Sequence, residues 1–257
     1  MLPVGDFLRR RTTPYVNWSL ILINVIVFLY TLTLSTQPTE VFAFQRISPS
    51  DLFYYHWGAL PACVSNYFGF GSGGVDPRLL AAVCPSGNRP ALTIFTSMFM
   101  HAGWAHIIGN MLFLWIFGDN VEDHFGHLPY LIFYLAIGVI AMATQVAFSS
   151  GDLVPTVGAS GAIAGVLGSY LLLYPTAIVE VVVLPLFFIP FLVPAAVLII
   201  IWFATQLISG ISSLGATAGS GIAWWAHVGG FTGGAILTLL SGGRPRAAPR
   251  SRRVRQL

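Results

Sequence analysis

Six apolar runs, each near the length of one membrane crossing, leave this chain few folds to choose from. They lie near residues 17–34, 95–117, 128–148, 158–174, 181–208 and 223–241. Crossing the hydrocarbon core takes roughly 20 predominantly apolar residues. Inside lipid each backbone polar group has to be satisfied within the protein, which favours helices. The remaining composition agrees, with 56% hydrophobic residues, 8% charged residues and a mean hydropathy of +0.78, whereas about a quarter of residues are charged in soluble domains. The expectation is an all-α, polytopic membrane protein built as a six-transmembrane-helix bundle.

Prolines and aromatics mark the ends of the runs. Pro129 opens the third, where a missing N–H costs little, and Pro175 follows the fourth and stops it. Pro185, Pro190 and Pro194 fall in the fifth run, where they predict a kink or a loop over its first part. Trp18, Tyr130 and Tyr174 sit near proposed ends, as an interfacial belt would place them.

Arginine sets the expected orientation, because the chain has no lysine. Arg9, Arg10 and Arg11 precede the first run, and Arg244, Arg246, Arg250, Arg252, Arg253 and Arg255 follow the last. Both termini are therefore expected in the cytoplasm, and an even number of crossings agrees. The domain plan is a cytoplasmic segment 1–16, a six-span unit 17–241 containing a long non-cytoplasmic loop 35–92, and a basic cytoplasmic tail 242–257. A basic tail directly after a span points to anionic membrane lipids as its partner and not to nucleic acid. The first run is too long for a secretory h-region, so it reads as an uncleaved anchor. Arginine without lysine fits a GC-rich genome, and the compact six-span form fits a bacterial plasma membrane.

The loop 35–92 holds an aromatic cluster, Phe53-Tyr54-Tyr55-His56-Trp57, suited to a helix or loop at headgroup depth. It also holds the only two cysteines, Cys63 and Cys84. Both are expected outside the cytoplasm, where a disulfide is chemically open to them, and sequence alone leaves the bridge undecided.

A few polar side chains interrupt the apolar runs, and each is costly in hydrocarbon without a partner or a purpose. Ser160 lies in Gly158-Ala159-Ser160-Gly161 and His227 in Ala226-His227-Val228-Gly229-Gly230; the second run carries His101, His106 and Asn110. His106 and Asn110 are four apart and share a helical face. Given the expected topology, all these groups lie toward the outer side at similar depth, which predicts one site. Ser160 falls in the first turn of its span, where free N–H groups and the helix dipole favour an oxyanion. His227 can take a proton from Ser160 and pass it to a leaving amine. No span offers an obvious acid to orient the histidine, so the expectation is a dyad, with Asp152 a solvated loop residue.

Small residues provide for close approach: Gly161, Gly165 and Gly168 in the fourth run, and Ala226, Gly230 and Gly234 in the sixth. Other intramembrane chemistries lack their residues. The chain has no H-E-x-x-H, its Gly-Asp pairs at 118–119 and 151–152 are not GxGD, and the serine segment is not G-x-S-x-G. A transporter reading lacks repeated halves or paired broken helices.

His106-xxx-Asn110, the GxSGxxxG run from Gly158 to Gly165 and the AHxxGxxxG run from Ala226 to Gly234 closely resemble, in order, the motifs of the rhomboid family of intramembrane serine proteases. The resemblance covers nearly the whole chain apart from its tails. It implies a rhomboid-like bundle that hydrolyses peptide bonds in or near transmembrane segments of protein substrates, without metal or cofactor. It also implies Ser160 as nucleophile, His227 as base, and His106 and Asn110 with the Ser160 backbone as oxyanion stabilisers, leaving His101 outside the catalytic set. Two departures stand out. Ala164 occupies the place of a common aromatic that packs under the histidine, and Leu92-Thr93 that of a common Trp-Arg. The segment from Gly210 to Gly221 reads either as a mobile cap on the outer face or as a plain connection.

Overall fold

The computed structural model describes residues 2–43, 45–84, 89–183, 187–214 and 222–243. Its elements run β1 (Leu2–Asp6), α1 (Tyr15–Leu32), β2 (Glu40–Phe42), β3 (Gln45–Ile47), α2 (Pro49–Trp57), α3 (Pro61–Tyr67), α4 (Pro77–Val83) and α5 (Arg89–Thr96). There follow α6 (Trp104–Phe125), α7 (His127–Phe148), α8 (Ser160–Leu173), β4 (Ile178–Val183), β5 (Phe187–Pro194), α9 (Ala195–Ser213) and α10 (Trp224–Leu240). The fold is mostly helical, as the apolar runs predicted. It is not all-α, however, because β1, β4 and β5 form a three-stranded antiparallel sheet in the order β1-β4-β5, and β2 pairs with β3.

By length and hydropathy, α1, α7 and α9 can each cross a membrane among the described residues. A fourth crossing is counted if Arg89–Phe99 and Trp104–Phe125, bent by 80° at their junction, are one broken span. The predicted run 95–117 therefore splits, with the long helix starting after His101 and continuing to Phe125. At 14 residues α8 is shorter than a full crossing. At about 1.5 Å per residue it is on the order of 21 Å long, against ~30 Å of hydrocarbon.

The fifth run is also redrawn. Its proline-rich beginning is strand, with Val179 opposite Val193 and Val181 opposite Phe191, and helix α9 starts only at Ala195. Short apolar runs rich in β-branched residues satisfy a buried strand as well as a helix. Here β1 brings a partner from the far N-terminus, pairing Leu2 with Val182 and Asp6 with Val179. Pro185 and the basic tail from residue 244 lie outside the described residues.

The core runs through α6, α7, α8 and α10, with α8 nearly enclosed. Glycine brings α8 and α10 together. A Cβ on Gly230 would intrude on the Gly161 carbonyl, and one on Gly234 on the backbone of Gly165. The two small-residue stripes expected to permit close packing thus face each other. At the opposite end of α6, buried Glu122 accepts from the backbone N–H groups of Val16 and Asn17 at 3.0 and 2.7 Å. It thereby satisfies donors that the first turn of α1 leaves free.

Candidate active site

Ser160 is the first residue of α8, and α8 starts there for local reasons. Gly158 has φ +125°, a conformation that disfavours any side chain. Its N–H donates to the Ser97 carbonyl at 2.9 Å, tying the entry of α8 to the short turn after α5. The first intrahelical bond runs from Ile163 N–H to the Ala159 carbonyl at 3.0 Å. The N–H groups of Ser160, Gly161 and Ala162 therefore precede the helical ladder, and their positive dipole end surrounds the serine.

His227 lies in the first turn of α10. That turn is held from α7 by Gln145, whose Oε1 accepts from the Ala226 N–H at 3.2 Å. Beside it, Trp225 stacks on Phe148 with centroids 3.9 Å apart. With α8 and α10 in glycine contact just below, His227 Nε2 and Ser160 Oγ come within 2.8 Å across 67 residues of sequence.

His106 borders the same space. A Cβ on Gly158 would lie 2.7 Å from His106 Nε2 and 3.6 Å from Ser160 Oγ, so the imidazole and the hydroxyl flank one glycine. Only a residue without a side chain leaves that gap open. The His101 and His106 rings meet edge to face at 4.9 Å. His101 is fully buried, and its carbonyl accepts from the Tyr54 hydroxyl at 2.8 Å, which joins the aromatic helix α2 to the site wall. Asn110 is buried on the same face of α6, and its Nδ2 donates to the His106 carbonyl at 3.0 Å. The predicted group of Ser160, His227 and His106 is thus gathered at one end of the core, and Asn110 stands one turn along from His106.

Asp152 stays in its loop, where its Oδ1 accepts from the Val154 N–H at 2.8 Å. The residue missed in the sequence is Gln206 of α9. It is buried, and its Oε1 lies 2.7 Å from His227 Nδ1. The rule that flagged Ser160 and His227, a polar side chain inside an apolar run, applies equally to Gln206. Trp202, one turn earlier, lies over the imidazole at 5.9 Å and 37°. Ala164 is buried and carries no ring, and α9 supplies an aromatic neighbour to the imidazole through Trp202. Residues 215–221 of the predicted cap lie outside the described residues, and up to Ser213 its beginning is the end of α9.

Among the described residues, no three His, Cys, Asp or Glu side chains converge closely enough to hold a metal ion. Chemically the arrangement offers a hydroxyl paired with an imidazole, at a helix N-terminus beside a second imidazole. Such a combination suits nucleophilic attack on a carbonyl and stabilisation of the resulting oxyanion.

Residues 88–244 match the family model for the Rhomboid domain. The chain is 33% identical over 103 residues to presenilin-associated rhomboid-like protein A, mitochondrial, of Danio rerio, covering 39% of this chain and 27% of that protein. It is 32% identical over 138 residues to rhomboid protease GluP of Bacillus subtilis, covering 52% of this chain and 26% of that protein. With rhomboid-like protein 11, chloroplastic, of Arabidopsis thaliana it is 40% identical over 79 residues, covering 30% and 28%. The matched stretches span only about a quarter of each relative's length.

Proposed function

The chain belongs to the rhomboid family, and from that premise we propose that it is an intramembrane serine endopeptidase cutting peptide bonds in or near transmembrane segments of other proteins. The observation that carries this reading is the 2.8 Å approach of His227 Nε2 to Ser160 Oγ at the start of α8. Likeness to a relative named as a rhomboid protease supports it.

Ser160 Oγ attacks the scissile carbonyl while His227 Nε2 accepts its proton. Negative charge then develops on the carbonyl oxygen, next to the free N–H groups of the α8 first turn, with His106 and Asn110 as further stabilisers. Collapse expels the amine, which leaves with the proton held by His227. A water molecule repeats the sequence on the acyl-enzyme and regenerates Ser160. No step draws on a cofactor.

Function in a bilayer follows from the same helices. The chain is an integral membrane protein, and six crossings are proposed by adding α8, surrounded by longer helices, and α10 to the four apolar spans. Because α8 is short, its N-terminus opens below the surface of the bilayer, at a depth a substrate helix can reach laterally. A substrate helix shields its carbonyls in backbone hydrogen bonds, so it unwinds locally before attack. The arginine distribution supports a topology with both termini in the cytoplasm and the site toward the outer face.

The test is cleavage of a model transmembrane substrate by the purified protein in liposomes. Wild type cleaves; Ser160→Ala and His227→Ala do not. Retained cleavage by Ser160→Ala would contradict the assignment.

A further inference from the structure

We infer that Gln206 is a positioning residue for His227, fixing through its side-chain oxygen the imidazole tautomer that lets His227 act on Ser160. The inference rests on the proposed Ser160–His227 chemistry and adds a third member to it.

The direction of the Gln206 amide is set by its other neighbours. Its Nε2 faces two oxygens, donating to Thr205 Oγ1 at 3.0 Å and to the Trp202 carbonyl at 3.3 Å. Thr205 spends its own hydroxyl proton on that same Trp202 carbonyl at 2.6 Å, so only its lone pairs remain for Gln206. An amide turned the other way would set its oxygen against two acceptors. The amide NH2 therefore belongs on the Thr205 side, and Oε1 on the His227 side.

An amide oxygen can only accept. The 2.7 Å contact with His227 Nδ1 thus requires the ring proton on Nδ1, donated to Gln206 Oε1. Nε2 is then a bare acceptor, 2.8 Å from Ser160 Oγ, which is the state a general base needs. In the other tautomer Nε2–H would point at the serine oxygen and could not remove its proton. Trp202 at 5.9 Å and Trp224, edge-on at 6.3 Å, flank the ring. They restrict the rotation that would exchange the two nitrogens, in a site where Ala164 offers no ring of its own.

Glutamine suits this depth better than a carboxylate does. It accepts from Nδ1–H both before and after His227 takes the serine proton, yet carries no charge that must be desolvated in a hydrocarbon setting.

The experiment compares wild type, Ser160→Ala, Gln206→Leu, Gln206→Met and Gln206→Glu on one transmembrane substrate in liposomes, with kcat, KM and a pH profile for each active protein. Thermal unfolding in detergent identifies which variants fold, and Leu and Met roughly preserve the volume of the buried glutamine side chain. Gln206→Leu and Gln206→Met are expected to lower kcat about 10- to 100-fold with KM within about twofold, by analogy with removing the outer hydrogen-bond partner of a metal-bound histidine. Gln206→Glu keeps an acceptor for Nδ1–H and is expected to recover most of kcat, with the acid limb of its pH profile moved to higher pH. If the folded Leu and Met variants match wild type, the inference is overturned. It is also overturned if Leu, Met and Glu lose kcat equally with an unaltered pH profile, because Gln206 then only packs. Undiminished cleavage by Ser160→Ala is a separate outcome, which removes the dyad itself and the inference with it.

Discussion

Gly230 of α10 rests against the backbone carbonyl of Gly161 in α8, one residue beyond Ser160 and three beyond His227. This backbone contact sets the distance between the two helices where serine and histidine meet. A methyl group at position 230 would have to displace main chain, which cannot rotate away as a side chain can. Gly230→Ala is expected to destabilise the protein by about 1–3 kcal/mol, the usual cost of overpacking. Cleavage should fall further than stability alone explains, because the Ser160–His227 bond is stretched as well. Thermal unfolding in detergent together with substrate cleavage measures both.

Glu122 provides a prediction at the other end of α6. It is fully buried and accepts two backbone N–H groups from the first turn of α1, as well as contacting His127 Nδ1. Glu122→Ala leaves those donors without their acceptor, at a cost of about 2–4 kcal/mol. The expected result is a lower unfolding midpoint, while Ser160 retains its reactivity in the protein that remains folded.

Asp6 should make the docking of β1 depend on pH. Burial pushes its carboxyl up to about 7, and the nearby Asp119 carboxylate adds to the rise, while the Tyr170 hydroxyl at 2.6 Å and Arg10 oppose it. Asn120 also donates to Asp6, at 3.0 Å. The folded protein thus keeps a proton that the unfolded chain, with the ordinary carboxyl value of 3.8, releases. The contribution of Asp6 to stability is fully present below that lower value and is lost as pH rises toward about 7. Proteolytic release of the N-terminal strand should accelerate across this range in wild type, and Asp6→Asn should flatten the dependence. A wild-type rate that slowed with rising pH would reverse the sign and refute the account.

Cys63 and Cys84 are bonded, with Cα atoms 5.4 Å apart and a sequence separation of 21. Closing a loop of this size restricts the unfolded chain by about 3 kcal/mol. The bridge ties α3 to the end of α4, both within the segment between α1 and α5, whereas Ser160 begins α8. Replacing both cysteines with serine should therefore increase protease sensitivity across the 49–84 region and leave the reactivity of Ser160 nearly unchanged.

Ser160 and His227 were legible in the sequence because hydrocarbon makes any polar side chain conspicuous, and glycines at four-residue spacing marked the faces that meet. Gln206 carried the same signal, a polar side chain in an apolar run, although three prolines interrupt that run before it. The β4–β5 hairpin was not legible from hydropathy, since Ile178–Val183 reads as apolar in either conformation. Its β-branched content was the available signal. Its pairing with β1 joins residues about as far apart as Leu2 and Val182, and no local pattern encodes such a contact. The sharp turn between α5 and α6 was hidden because apolar residues continue on both sides of the His101–Gly103 break.

Labelling of the native protein with a fluorophosphonate, followed by mass-spectrometric mapping of the adduct, tests the central claim most directly, because the reagent reports an activated serine without any choice of substrate. The account predicts a single modified serine, Ser160, with labelling abolished by His227→Ala in a variant that remains folded. An adduct on another serine, or undiminished labelling of Ser160 without His227, would contradict it.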